Sequence, residues 1–301
     1  MNEDSLRFIK LTENKITPNG IAETSNNAKK LLKLPGFLQK FIIDLNIKNN
    51  DYMGFVVEPY SFFLAYEITE EMVKDFLPDN YELVPISIFD HSERKRCAIV
   101  GCFNVHTSVF WGSRFELYII AKNKVNNLVS WLICDYESNT FHYDPGKGFL
   151  PETLKKSVFT TTYDGQIICD IESKKCSTKI DLVVDINNHN CIYLNQKLWI
   201  EGNLSIDYSG KLQNGGKDPF GLIFDPMEMK CAQHIQVDQI QINHLEFSFI
   251  KQGMKPYESC CFPFAQHYLT TIFPEGHKMT DEDDLNNKIK EIIGKDKSDK
   301  L

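Results

Sequence analysis

The stretch Cys97–Ala121, CAIVGCFNVHTSVFWGSRFELYIIA, decides the fold class. It holds two strand-length runs rich in β-branched and aromatic residues, separated by turn-forming residues. Neither run has the three-to-four-residue apolar spacing of an amphipathic helix.

The same texture extends in both directions. Upstream, MGFVVEPYSFFLAYEIT (Met53–Thr69) reads as strand, and TEEMVKDFLP reads as a helical turn with Thr69 as N-cap and Pro78 past its end. YELVPISIF then returns to strand. Downstream come LVSWLICDYES, a loop with Asp144-Pro145-Gly146 as turn chemistry, and SVFTTTYDGQIICDIES with Asp164-Gly165 as a hairpin turn. KIDLVVDI, CIYLNQKLWIEGNLSIDYSG and GLIFD continue the series. In HIQVDQIQINHLEFSFIKQG the apolar alternation slips once between Val237 and Ile240, which reads as a bulge in one long curved strand.

Helices are expected only at the ends. Residues 1 to about 25 are polar and read as loose. Leu31, Leu32, Phe37, Phe41, Ile42 and Leu45 follow at helical spacing, interrupted by Pro35-Gly36. That pattern predicts a short helix, a break and a second helix packed by its apolar face on the outside of a sheet. A short helix, DLNNKIKEIIG, precedes a mixed-charge end, KDKSDKL, that reads as disordered. The expected object is mostly β (β-rich α+β): a single, mostly antiparallel β domain over 51–275, closed or nearly so. A helical extension over 1–50 packs on it, and 276–301 form the short helix and tail.

Composition bounds the function. With 301 residues, 42% hydrophobic and 25% charged, the chain has the make-up of an ordinary globular protein. A net charge of −8 without a basic stripe argues against nucleic-acid binding. Nine cysteines, odd in number and irregularly spaced, fit a reducing compartment better than a disulfide framework. The polar N-terminus shows no secretory signal, and no apolar run approaches the roughly 20 residues that span a bilayer. The basic helix near residue 40 carries Asp44 and a small apolar face, which argues against a membrane-surface role. The expectation is a cytoplasmic protein with no membrane or nucleic-acid partner.

The chain has no serine-hydrolase elbow, no P-loop and no dinucleotide fingerprint, and no cofactor is expected. Cys231, His234 and the adjacent Cys260-Cys261 are the nearest approach to a metal set. Zinc needs four well-placed ligands, so no metal site is expected. Two features retain chemical interest. Lys155-Lys156 is either a charged turn leading into a hairpin or a reactive pair, in which one ammonium lowers the pKa of the other and frees a nucleophilic amine. Glu116 sits inside the apolar RFELYIIA. Alternation allows it a solvent face, whereas an inward carboxylate would need a partner.

The order of these elements resembles that of the acetoacetate decarboxylase-like superfamily. The resemblance rests on FFLAYEIT, a short helix ending LP, ELVPISIF, CAIVGCFNV, RFELYIIA, WLICD, a loop, the lysine pair and an immediate hairpin, over about residues 55–175. It implies a curved, cone-like β-barrel with an apolar cavity. There a lysine forms a Schiff base with a small β-keto acid, and a neighbouring lysine lowers its pKa; the handling of acetoacetate by this enzyme is a standard instance of the effect. On this resemblance Lys155 is the nucleophile, Lys156 the perturber and Glu116 a catalytic carboxylate. Tyr66, Glu67, Phe115, Lys147 and Phe149 fall around the ligand, with Lys147 a second candidate amine. Three features depart from the family pattern: FHYDPGKGF stands where the family has Gly-Arg-Glu, Pro151 stands four residues ahead of Lys155, and Glu67 stands where the family has arginine.

Three functions follow as expectations: an imine-forming lyase acting on a small carbonyl compound or keto acid, a non-catalytic barrel binding a small ligand, and a protein-interaction module. A homo-oligomeric state is left open.

Overall fold

Successive residues of the Cys97–Ala121 stretch divide between two cores. Cys97, Ile99, Phe103 and Val105 enter one core, and Ala98, Val100 and Cys102 enter the other. In the next strand Tyr118 and Ile120 join the first core, while Phe115, Leu117 and Ile119 join the second. A sheet buried on both faces needs apolar residues in both phases, so these strands read as continuous runs. The computed structural model describes residues 2–46, 52–125, 127, 129–144, 148–187, 189–202, 206–208, 222–271 and 281–298.

The strands begin with β1 (Tyr52–Val57), β2 (Ser61–Glu67), β3 (Tyr81–Leu83), β4 (Pro85–Ile86), β5 (Lys95–Thr107), β6 (Trp111–Asn123) and β7 (Val129–Ser138). Next come β8 (His142–Asp144), β9 (Gly148–Leu150), β10 (Leu154–Thr161), β11 (Gln166–Ser173), β12 (Lys179–Asp185) and β13 (Cys191–Tyr193). The series ends with β14 (Ile206–Tyr208), β15 (Ile223–Phe224), β16 (Cys231–His234), β17 (Ile240–Glu246), β18 (Glu258–Phe262) and β19 (Gln266–Thr271).

The large sheet runs β13–β16–β18–β2–β5–β1–β19–β15, with β6 along the other side of β5 and β7 beyond it. A smaller sheet, β10–β11–β12–β17, lies over one face, and β8–β9 form a separate hairpin. The described pairings are antiparallel apart from β14 with β7. Among the described residues the large sheet is an open path, so the pairings give a mostly β protein of two packed sheets without closing a barrel.

The inter-sheet core joins Phe62, Leu64, Val100 and Leu117 to Ile167, Ile171, Ile180 and Leu182. The opposite face of the large sheet carries an aromatic core. Phe63 meets Trp131, Trp199 and Phe262 edge-on, with ring centroids 6.3, 5.6 and 5.9 Å away. Edge-to-face contacts of this kind add to simple area burial.

Four expectations are corrected. The polar N-terminus is helical, in α1 (Glu3–Asn14) and α2 (Pro18–Leu31). Asn2 Oδ1 accepts from the Ser5 amide at 2.7 Å, and Thr17 Oγ1 accepts from Gly20, so side chains supply partners for helix-end amides. The break at Pro35-Gly36 separates α2 from α3 (Gly36–Asn46) as expected, but α3 turns Phe37, Leu38 and Phe41 to solvent, beside Leu34 ahead of the break. It buries Gln39 instead.

The long final strand is two strands in two sheets. β16 pairs with β18 in the large sheet, and β17 pairs with β12 in the small one. The slip at Val237–Ile240 marks a single 3-10 turn, Val237–Gln239, that carries the chain across. The helix near the C-terminal end runs Glu282–Ser298, through part of the segment read as disordered. Its Leu285, Ile289, Ile292 and Ile293 are buried in the aromatic core, which fixes the helix more firmly than its local composition suggests. As expected, Thr69 Oγ1 caps the short helix α4 (Glu70–Val73), and Gly165 turns the β10–β11 hairpin with φ of +79°.

Candidate functional site

The lysine pair opens β10, where a register shift falls between Leu154 and Lys156. A strand in regular phase would turn one of two adjacent side chains inward. Here Leu154 takes the inward position and both lysines are exposed. Lys155 Nζ lies 2.7 Å from Glu172, and Lys156 pairs with Asp170. The hydrogen bond that Lys156 donates to Asp170 holds its amine above its usual pKa. A more firmly protonated amine is the opposite of what imine formation needs. Of the two readings of the pair, this geometry fits the charged segment leading into a hairpin and not the inward, mutually activated pair.

The other residues expected around a ligand disperse. Glu67 is exposed and pairs with Lys95 at 3.1 Å, so its charge is spent at the surface. Tyr66 and Phe115 are fully buried in the inter-sheet core. The Tyr66 hydroxyl has no hydrogen-bond partner among the described residues, and burial pushes its pKa up. Phe149 lies in the opposite, aromatic core, and its amide donates to Gln39 Oε1 at 2.8 Å. Lys147 lies outside the described residues.

Glu116 is the expected residue that the fold turns into a chemical cluster. It is buried, on the face opposite Phe115. Period-two geometry places Arg114, Glu116 and Tyr118 on the same side of β6. The Arg114 guanidinium donates through Nε to Glu116 Oε1, and the Tyr118 hydroxyl donates to Oε2. Both carboxylate oxygens thus have a side-chain donor.

β7 completes the arrangement. Tyr136 stands opposite Glu116 in register, and the Arg114 guanidinium carbon lies 4.7 Å from its ring centroid. A bulge between the Leu117 and Tyr118 pairings shifts the phase of β7, so Trp131, Ile133 and Tyr136 share one core. Bulges of this sort re-aim side chains beside functional sites. His142, from β8 and buried, meets the Tyr136 ring edge-on at 4.7 Å.

Gly101 lets the floor close. A Cβ there would sit 2.8 Å from Phe63 Cε1 and 3.3 Å from Tyr118 Cε2. Tyr118 in turn meets Trp131 edge-on at 5.0 Å. The result is a cation, an anion, two phenols and an imidazole on one aromatic bed. Such a set can hold a small carboxylate or polarise a carbonyl, and it can exchange protons through Glu116, Tyr118 or His142.

Sequence reasoning found Glu116 but missed Arg114, Tyr118, Tyr136 and His142. The available signal was Arg-x-Glu-x-Tyr at period two inside an apolar strand. For metals, no group of three or more His, Cys, Asp or Glu side chains gathers among the described residues. The nine cysteines are free thiols.

Fold and site together define a mostly β protein with two packed sheets and a buried arginine–carboxylate–phenol cluster. No protein-family model matches the chain. No curated protein matches its sequence. Among solved structures it is similar to acetoacetate decarboxylase from Legionella pneumophila, with TM-score 0.43 and 9% identity over 73% of this chain and 86% of that one. A second acetoacetate decarboxylase gives TM-score 0.40 and 8% identity over 75% and 88%. An acetoacetate decarboxylase-like enzyme from Sphingomonas wittichii RW1 gives 0.39 and 7% over 77% and 95%. These are distant likenesses to the group that the order of elements resembles.

Proposed function

We propose that the chain binds a small keto acid or related carbonyl compound at the Arg114–Glu116–Tyr118 cluster, with Tyr136 and His142 beside it. The observation that carries this reading is the burial of the Arg114–Glu116 pair among aromatic rings. Burying two charges is costly, and an apolar pair would fill the same space at no electrostatic cost. A guanidinium suits a carboxylate ligand, and Tyr118 suits a carbonyl oxygen. Arg114 then exchanges Glu116 for the ligand carboxylate, and Glu116 serves as proton acceptor. A lyase using Lys155 or Lys156 has no geometric support, because both amines are exposed and ion-paired.

The test pairs binding with trapping. Acetoacetate and acetopyruvate are titrated against the full chain by calorimetry, beside a neutral ketone, and each mixture is then treated with borohydride and peptide-mapped. The expected result is binding of the keto acids, weakened at least tenfold by Arg114→Met, with no adduct on Lys155 or Lys156. Equal binding of the neutral ketone, or binding untouched by Arg114→Met, removes the cluster as the site. A single adduct on any one lysine, Lys147 included, restores the imine reading.

A further inference from the structure

The segment around α3 has a surface that the candidate site does not use. Phe37 is 72% exposed and Phe41 60%, with Leu34 and Leu38 beside them at 36% and 38%. Positions 37, 38 and 41 lie together on α3, and Leu34 stands in the bend just ahead of the helix, so these side chains form one apolar patch. Exposed apolar residues scattered singly are ordinary, but a contiguous patch marks a contact surface.

The patch is held outward by the opposite side of the helix. Gln39 is buried, its Nε2 donates to the Leu34 carbonyl at 3.0 Å, and its Oε1 accepts from the Phe149 amide of β9 at 2.8 Å. Gly148 makes room for it, since a Cβ there would sit 2.9 Å from Gln39 Oε1. The helix is therefore anchored through its polar residue and presents its apolar one.

Charge selects the occupant. Lys29, Lys30, Lys33 and Lys40 are all exposed around the patch. No acidic residue occurs from Thr24 to Ile43, in a chain whose net charge is −8. Two copies meeting through this face would bring their lysine sets together, which opposes self-association. An anionic phospholipid surface satisfies both features: aromatic and leucine side chains enter the headgroup boundary, and lysines meet lipid phosphates and carboxylates. We propose that Leu34, Phe37, Leu38 and Phe41, flanked by these lysines, form a face that docks the protein peripherally on anionic membranes. The sequence argued against a membrane contact from Asp44 and a small apolar face; the exposed patch is larger than that reading allowed.

The full-length chain is tested by flotation with vesicles of phosphatidylcholine alone and of phosphatidylcholine with about one-third phosphatidylserine. The expected result is recovery with the phosphatidylserine vesicles and little with phosphatidylcholine. Phe37→Asp with Phe41→Asp abolishes recovery, and Lys33→Gln with Lys40→Gln lowers the partition roughly thirtyfold, about fivefold per lysine. Because these side chains are exposed, circular dichroism and the unfolding midpoint stay unchanged. Failure of the unaltered chain to float with anionic vesicles overturns the proposal, as does flotation indifferent to both variants. So does a dimer in sedimentation velocity that Phe37→Asp dissociates, which would assign the face to a second copy.

Discussion

Glu116 receives the Arg114 guanidinium on one oxygen and the Tyr118 hydroxyl on the other. Removing the carboxylate charge leaves a buried guanidinium without its counter-charge, which costs about 3–5 kcal/mol in comparable pairs. Replacing both members by apolar residues costs much less, since no charge then remains to be solvated. Glu116→Gln and Arg114→Met are therefore each expected to lower the stability measured in urea by about that amount. The double variant Glu116→Leu with Arg114→Met is expected to recover most of it. A single-variant loss below about 1 kcal/mol would mean that water reaches the pair freely, the behaviour of an exposed bridge. The residue scale also shows why the site was only partly legible. Alternation left Glu116 free to face either way, because β6 is apolar on both faces and neither phase is marked as solvent. Its partner at position 114 lay two residues away, where an arginine in a strand reads first as a surface residue. The direction of the Lys155-Lys156 pair was left open for a different reason: a one-residue shift in β10 is set by pairing with β11, not by the lysines themselves.

Among elements, α1 is tied to the sheet by His267 of β19. Its Nδ1 lies 2.7 Å from Glu228, in the 3-10 turn Pro226–Met229, and its Nε2 lies 3.3 Å from Glu13 of α1. Burial alone would lower the His267 pKa, but the hydrogen bonds and charges of Glu228 and then Glu13 outweigh it and raise the value above 6.5. A raised folded-state pKa gives stability that is fully present below the unfolded value and is lost as pH rises through the folded one. The prediction is a fall in unfolding free energy as pH rises above about 6.5, which His267→Gln removes. Hydrogen exchange in α1 should speed up over the same window. A wild-type profile flat across that window, or one identical in His267→Gln, would falsify the tie. This contact was invisible in the sequence, since Glu13 and His267 are 254 residues apart. Helix α2 was hidden by its own cap: Thr17-Pro18-Asn19-Gly20 reads as a loop, although threonine before proline also starts a helix. The β17 strand was legible as a strand, but the sheet it joins was not, because periodicity records burial and not the neighbour that supplies it.

For the whole molecule, the two-sheet arrangement makes a prediction through its thiols. Cys102 of the large sheet and Cys169 of the small one hydrogen-bond between the layers, and both are fully buried. Burial first, then the neighbouring thiol, pushes the Cys169 pKa well up. Cys97 and Cys261 are buried too and pushed up to about 12. A thiol reacts as its thiolate, so these groups need both exposure and a normal pKa before they can be modified. Cys176 and Cys191 are exposed. With Ellman's reagent on the native chain, Cys176 is expected to react first and Cys191 next, since burial and then the Cys231 thiol push the Cys191 pKa up. Cys102 and Cys169 should follow only at the rate of global unfolding, because the layers that cover them are joined by one continuous apolar core. Peptide mapping against time at several urea concentrations reads this directly. If Cys102 and Cys169 labelled together but well ahead of Cys260, which lies in the aromatic core, the small sheet would be opening as a unit from the large one. That order would make the two cores separate cooperative units; simultaneous labelling of all three would make the large sheet, buried on both faces, the element that couples them.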